Sequence, residues 1–406
     1  GTAGKMFGAL GRNGVNVAAI AQGSSELNIS AVIHHKDEIK ALNALHDEFF
    51  FPDTKLINVF LVGTGLIGGS LLRQILAHHR QLRDRFAHEV RLIGLCNSRR
   101  MLISPEGVEP EGCLNRLETE GKPHDLHQFI SEMRRLNLPA SVFVDCTASA
   151  EVAGCYEKIL QSSISIVTPN KKAQSGHYEF YMRIKKAAGR RGVSLLFETS
   201  VGAGLPVLST LNDLIKSGDE ILKIEAVLSG TLSFIFNSFD SERGFSEVVR
   251  LAREAGYTEP DPRDDLNGMD VARKILILAR EAGLEMEMSD IAVENLVPEN
   301  CRTAASVDEF FARLKAWDPE LENRRAAAQE RGCKLCYIAS LEDRKAKVAL
   351  CEVSADHPFY GLSGSDNIIS FTTKRYHPRP LVVKGPGAGA EVTAAGVFAD
   401  IIRLAA

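Results

Sequence analysis

Nowhere in the 406 residues is there an apolar run of the ~18 residues that a membrane-spanning helix requires. The opening residues also lack the basic, hydrophobic and small-residue succession of a secretory signal. There is no basic stripe. Lys and Arg number 48 against 52 Asp and Glu, mixed along the chain for a formal net charge of −4. A run of phosphates would meet no complementary field, so small molecules rather than nucleic acid or a membrane are the expected partners. Disulfide patterning is missing too. The eight cysteines (Cys96, Cys113, Cys146, Cys155, Cys301, Cys333, Cys336 and Cys351) are scattered through mostly apolar stretches. That is the usage of a reducing compartment, read here as the cytoplasm. Cys333 and Cys336 have no second pair to complete a zinc site, and the eleven histidines contain no metalloprotease pattern. The chain opens on Gly1-Thr2-Ala3-Gly4 with no initiator Met, which leads us to expect a piece cut from something longer.

What is present is a globular composition, 45% hydrophobic and 25% charged, sufficient for two or three domains. In residues 1–50, apolar Met6, Phe7 and Leu10 suggest a helix ending at Gly11. Strand-like Val15–Ile20, a turn at Gln22-Gly23-Ser24-Ser25, strand-like Leu27–Ile33 and a helix bearing Ile39, Leu42, Leu45 and Phe49 follow, giving the order α-β-β-α. After the Phe51-Pro52-Asp53 break, residues 56–197 alternate strands and helices, as a parallel sheet covered on both faces requires. Residues 198–384 read as an α+β domain, with a long amphipathic stretch near 268–282 and strands expected at 222–228, 334–341 and 346–353. Residues 385–406 read as a glycine-rich loop and a helix returning to the nucleotide domain.

The buried strand Ile57–Val62 runs directly into Gly63-Thr64-Gly65-Leu66-Ile67-Gly68 and then the helical stripe Leu71, Leu72, Ile75, Leu76. Gly63 permits a tight turn, Gly65 lets backbone approach a pyrophosphate, and Gly68 lets helix pack on strand. The helix start then favours phosphate charge. The next strand, Val90–Cys96, ends in Asn97-Ser98-Arg99-Arg100 with no acid for a ribose 2′-hydroxyl and two guanidinium groups for a 2′-phosphate. This favours NADP, with NAD use open, and a plain solvated loop is the alternative. Thr147, after the strand Val142–Cys146, is a candidate nicotinamide contact. Lys171, after Thr168-Pro169-Asn170, is a candidate crevice lysine.

Ala255–Lys274 is the most specific stretch. Two prolines hold its front half out of a helix, and Ala272, Ile275, Leu276 and Ala279 mark a helix beginning near Gly268. Asp270 and Lys274 share a helical face. Glu259, Asp261, Asp264, Asp265 and Asp270 crowd one lysine, a costly arrangement unless cations or a cationic substrate such as an α-ammonium bind there. A solvated ion pair is the bland alternative. Ser229-Gly230-Thr231-Leu232-Ser233 either hydrogen-bonds substrate or caps the next helix.

These motifs resemble the homoserine dehydrogenase family: an Ala, a Gly-aromatic-Thr step, an acid-Pro pair, then Asp, Gly, Asp and Lys at this spacing. The likeness extends from Ile57 to Ala406 through Thr168–Lys171, Glu198–Pro206, Leu228–Thr231, Gly385–Gly389 and Val392–Gly396. It implies a Rossmann-type α/β domain, an α+β catalytic and dimerisation domain, and reversible NADPH-linked reduction of aspartate semialdehyde to homoserine by a homodimer or higher homo-oligomer. By the resemblance, Lys274 is the acid/base and Asp270 orients it, Glu259 and Asp265 hold the substrate ammonium or a bridging water, and Lys171 serves substrate carboxylate, proton transfer and cofactor. Backbone carbonyls of Glu198, Val201, Ala203 and Leu205 would hold a monovalent cation such as sodium, and Gly387 would close over the nicotinamide. Residues 1–50 resemble the end of the regulatory ACT (ferredoxin-like) region of bifunctional aspartokinase/homoserine dehydrogenases, with Asn16, Gln22 and Gly23-Ser24-Ser25-Glu26 matching its effector loop. The kinase and the first ACT strand are not among these residues, so a complete threonine site is not implied. Two rivals remain: a semialdehyde dehydrogenase using Cys146 as thiol nucleophile, and an amino-acid sensor without chemistry.

Overall fold

The computed structural model describes residues 1–23, 28–50 and 54–405. They form two compact units. Gly1–Ala173, Glu179–Phe197 and Thr393–Ala406 make the first, and Gln174–Tyr178 with Glu198–Val392 the second. Among the described residues, no helix is long and apolar enough to cross a membrane.

The first unit opens with helix Thr2–Arg12, antiparallel strands β1 (Val17–Gln22) and β2 (Ile29–Ile33), and helix Glu38–Phe50. Leu10, Val15 and Ala41 form a small core of their own with Met6, Phe7, Val17, Ile33 and Leu45 packed on it. The α-β-β-α order matches the sequence pattern, with the first helix running one residue past Gly11 and both strands starting two residues later than their apolar runs. The effector-loop residues Ser24-Ser25-Glu26 and the break Phe51-Pro52-Asp53 lie outside the described residues.

The rest of the unit is built on β3 (Lys55–Val62), whose last six residues are buried as a strand covered on both faces must be. With β4 (His88–Cys96), β5 (Arg100–Ile103), β6 (Lys122–Pro123), β7 (Ser141–Asp145), β8 (Ser165–Val167) and β9 (Leu195–Leu196) it forms a seven-stranded sheet in the order β6-β5-β4-β3-β7-β8-β9. The strands from β4 to β9 in that order are parallel, but β5 and β6 are antiparallel, so the expected all-parallel sheet carries a mixed edge. The chain leaves β3 for β4 on one side and later returns as β7 on the other. That reversal opens a crevice at the strands' carboxyl ends, where open α/β sheets bind ligands. The C-terminal helix Ala390–Arg403 inserts Ala394, Val397 and Ile401 into the same core as Leu71, Ile75, Leu92 and Val142.

The second unit carries β10 (Ile221–Val227), β11 (Ile291–Val293), β12 (Lys334–Glu342), β13 (Lys345–Val353), β14 (Asp366–Thr373) and β15 (Leu381–Pro386) in the order β11-β13-β12-β10-β14-β15. All pairs are antiparallel except β11 with β13. Helices Gly230–Ser238 and Met269–Glu281 pack on this sheet. Gly385 and Pro386, expected in a loop, instead pair with Asn367 and Asp366 and finish β15.

Candidate active site

In the first unit the glycine turn has the geometry a bound pyrophosphate needs. Gly63 has φ +93°, and a Cβ there would lie 2.8 Å from the Cys146 backbone and from Thr147 Cγ2. A Cβ on Gly68 would come within 1.9 Å of the Gly63 carbonyl, so helix Leu66–Phe86 sits as close to the turn as glycine allows. Gly65, exposed at the N-cap, has nothing within 4 Å of its Cβ direction. No side chain caps the helix. Thr64 and Leu66 flank this open point, Leu66 being 78% exposed, while Ile67 turns its side chain to the core. An unobstructed helix start at a sheet crevice fits a dinucleotide diphosphate.

Beside it lies a buried network that the sequence alone did not reveal. Asp145, fully buried at the end of β7, accepts from the Thr147 amide (2.8 Å), the Tyr156 hydroxyl (2.6 Å) and Asn170 Nδ2 (2.9 Å). Burial pushes its carboxyl up, and these donors pull it part of the way back. Thr168 Oγ1 donates to the Asp145 carbonyl at 2.9 Å, and Asn170 Nδ2 also reaches the Ser149 carbonyl at 2.9 Å. The ends of β7 and β8 and the start of helix Tyr156–Leu160 are thereby tied into one rim, with Thr147 and Lys171 half-buried along it. Cys146 next to Asp145 has its thiol pushed well up by burial and by that carboxylate, which disfavours the thiolate a thioester mechanism requires.

At the end of β4, Gly63 N–H donates to the Cys96 carbonyl at 2.8 Å, so the turn and this strand end are neighbours. Arg99 is exposed and pairs with Glu118 at 3.2 Å, whereas Arg100 opens β5 and donates to the Gly121 carbonyl at 2.8 Å.

In the second unit, Lys274 stands on the second turn of helix Met269–Glu281. Its Nζ donates to the Leu228 carbonyl at 2.6 Å and lies 2.7 Å from Asp270 Oδ2. The lysine side chain is 12% exposed and that of Asp270 44%, so the ammonium is largely withdrawn from solvent while the carboxylate stays open to it. Gly268, the N-cap, has φ +73°, and a Cβ there would come within 2.1 Å of the Tyr337 hydroxyl. Asp265 Oδ2 accepts the Glu259 amide at 2.8 Å, and its Oδ1 lies 3.0 Å from Thr231 Oγ1. Burial raises the Asp265 carboxyl, with the charges of Glu259 and Asp270 adding to the effect. Thr231 Oγ1 also lies 2.6 Å from the Tyr257 carbonyl, so its one proton is shared between that carbonyl and Asp265, which makes Thr231 a positioning residue for the carboxylate. Ser229 accepts from the Leu232 amide and caps helix Gly230–Ser238. Two of the five acids stand apart: Asp261 is consumed by Arg263 at 2.6 Å, and Asp264 is exposed.

The Glu198–Leu205 loop is buried around left-handed Gly202 (φ 77°) and Ala203 (φ 52°). The Glu198 carboxylate accepts the Leu208 and Ser209 amides at 2.6 and 2.9 Å and so caps helix Leu208–Lys216. The Glu198 and Leu205 carbonyls accept from the Val201 and Val207 amides, and Thr199 Oγ1 is buried with no hydrogen-bond partner. Gly387 is buried against Asn367, whose Cγ would lie 1.9 Å from an added Cβ.

A phosphate-binding turn on a doubly wound sheet, with a separate α+β unit carrying an acid-flanked lysine, defines a dinucleotide-linked oxidoreductase. Family models match in that order: an ACT domain over residues 1–49, the NAD binding domain of homoserine dehydrogenase over 63–198, and homoserine dehydrogenase over 206–402. A homoserine dehydrogenase of Schizosaccharomyces pombe is 44% identical over 86% of this chain and 95% of its own. The chloroplastic bifunctional aspartokinase/homoserine dehydrogenase 1 of Arabidopsis thaliana is 46% identical over 100% of this chain and 45% of its own, so the chain spans about half the length of such relatives. A crystal structure of a Candida auris protein of unknown function superposes with TM-score 0.80 at 36% identity, over 87% of this chain and 99% of that one. The chain belongs to the homoserine dehydrogenase family.

Proposed function

We propose that this chain reversibly reduces L-aspartate 4-semialdehyde to L-homoserine with NADPH, a step toward threonine, methionine and isoleucine. The observation that carries this reading is the nearly buried Lys274 ammonium, aimed by Asp270 and the Leu228 carbonyl beside the Asp265–Glu259 pair. The bound dinucleotide supplies the hydride. As negative charge grows on the aldehyde oxygen, Lys274 stabilises it and gives up a proton, and in the reverse direction takes that proton from the alcohol. Asp270 directs the lysine. Glu259 and Asp265 meet the substrate ammonium directly or through water, and Lys171 meets its carboxylate. The turn Gly63–Gly68 holds the diphosphate, Thr147 and Gly387 bound the nicotinamide, and Arg99 faces the adenosine ribose.

Homoserine oxidation with NADP and with NAD, on the wild type and on Lys274→Ala, tests the assignment. The variant is expected to lose activity by about 10²–10⁴-fold, the usual worth of a positioned acid/base, while NADPH binding and circular dichroism persist. Full activity in Lys274→Ala would sink the mechanism.

Four finer readings accompany this one. The left-handed loop at Gly202 and Ala203 and the unpartnered Thr199 hydroxyl fit a monovalent cation such as sodium held by the carbonyls of Glu198, Val201, Ala203 and Leu205. The match to an ACT domain supports threonine as an effector of the longer protein. Exposed Ile20, Val32, Ile39, Leu42 and Phe50 support a homodimer or larger assembly. Eight free cysteines support a reducing compartment, the cytoplasm, although the plant relative is named chloroplastic.

A further inference from the structure

The turn that follows β4 carries a base, and helix Cys113–Glu120 brings an acid to it. Asn97 Oδ1 accepts the amides of Arg99 and Arg100 at 2.8 and 2.7 Å, fixing a tight turn into β5. The His124 amide donates to the Arg99 carbonyl at 2.9 Å, bracing the turn from β6. Asn97 Nδ2 and Arg99 Nη2 both donate to Glu118 Oε1, each at 3.2 Å. Glu118 belongs to helix Cys113–Glu120, 19 residues beyond Arg99, so reading the strand end by itself finds no acid there. The two side chains are 75% and 45% exposed, which makes their ion pair weak and easily opened.

Nucleotide-binding sheets distinguish their cofactors at this point. A carboxylate accepts the 2′-hydroxyl of NAD, whereas a guanidinium neutralises the 2′-phosphate of NADP. Here both groups are present and bonded to each other.

We infer that Glu118 is a cofactor-selecting residue: its carboxylate accepts the 2′-hydroxyl of NAD(H), and NADP(H) binds only after Arg99 leaves Glu118 for the phosphate. The inference rests on the reading that Arg99 faces the adenosine ribose. Two consequences follow from the charges. Glu118 weakens NADP(H) binding, both by holding Arg99 and by repelling the 2′-phosphate, and it strengthens NAD(H) binding. The protein is therefore a dual-cofactor dehydrogenase whose preference is set by one removable negative charge.

Fluorescence titration of the intact protein with NADPH and with NADH, in the absence of substrate, tests this directly. Glu118→Gln keeps an acceptor for Asn97 and Arg99 and removes only the charge. It is expected to tighten NADPH at least threefold and weaken NADH about as much, moving their Kd ratio roughly tenfold toward NADPH with Tm unchanged. Arg99→Ala is expected to weaken NADPH at least tenfold and leave NADH within about twofold. If Arg99→Ala leaves the ratio unchanged, the placement of Arg99 at the ribose falls and the inference with it. If Arg99→Ala weakens NADPH selectively while Glu118→Gln leaves the ratio unchanged or moves it toward NADH, the placement stands and the role of Glu118 is refuted.

Discussion

Asp265 is held in the folded chain at an energetic disadvantage that its neighbours only partly offset. Burial raises its carboxyl above the ordinary value, Glu259 and Asp270 raise it further, and the Glu259 amide and Thr231 hydroxyl act the other way. A carboxyl raised by folding stabilises the fold while protonated. That contribution is complete below the unfolded pKa of about 3.9 and is lost as pH rises through the higher folded value. Ionised Asp265 therefore costs stability at neutral pH, a cost that the proposed contact with a substrate ammonium would explain. Asp265→Asn removes the charge without breaking the hydrogen-bond pattern. Thr231 has one proton and can give it to the Tyr257 carbonyl, 2.6 Å away, while an Asn amide donates to Thr231 Oγ1 and its carbonyl accepts from Glu259 N–H. The variant is expected to melt higher than the wild type at pH 7, with the difference closing below about pH 4. Its kcat/KM for homoserine is expected to fall roughly ten- to hundredfold, the worth of a charge-assisted hydrogen bond. Thermal melts at both pH values together with steady-state assays check this, and a lower Tm at pH 7 would contradict it.

At the level of elements, two glycines of one motif serve opposite purposes and respond differently to the same methyl group. Gly65 faces open space, so Gly65→Ala is expected to fold with unchanged Tm but bind NADPH at least tenfold more weakly, because the methyl occupies the diphosphate's approach. Gly68→Ala would set a Cβ 1.9 Å from the Gly63 carbonyl, and separating helix from turn is expected to cost about 1–3 kcal/mol and lower Tm. Melting curves and NADPH titrations separate the two, and equal losses of Tm would overturn the division of roles. This turn was legible in sequence because strand, glycines and helix are contiguous and each leaves its own periodicity. So was the Asp270–Lys274 pair, fixed by helical spacing alone. The edge strands β5 and β6 were not, because Lys122–Pro123 is too short for any period and exists only through pairing with residues some twenty positions away. Asp145 read only as a residue within the strand Val142–Cys146, and only the folding of Tyr156, Thr168 and Asn170 around it makes it a hub. Glu198 was marked for its carbonyl, but its carboxylate caps a helix whose own N-cap, Val207, has no side chain able to do so.

At the scale of the whole chain, the N-terminal zone carries a small core of its own beside the nucleotide sheet. Its core of Leu10, Val15 and Ala41 is separate from the core that contains Leu71, Leu92 and Val142. Asn13 Oδ1 accepts the Ala140 amide at 3.1 Å, and Asn137 Nδ2 donates to Asp37 Oδ1 at 3.3 Å. Water can take over both partners when the zone is removed, and a typical intramolecular hydrogen bond contributes only about 0.5–1.5 kcal/mol net. The matched nucleotide and dehydrogenase segments, 63–198 and 206–402, lie wholly outside it. Deleting residues 1–53 is therefore expected to leave NADPH affinity within about twofold and Tm lowered by only a few degrees, with homoserine oxidation retained. The deletion also removes the exposed Ile20, Val32, Ile39, Leu42 and Phe50, so any association through that zone should vanish from sedimentation profiles. A truncated chain that still associates would place the subunit interface in the dehydrogenase part, and one that no longer binds NADPH would make the N-terminal zone a structural member of the nucleotide domain.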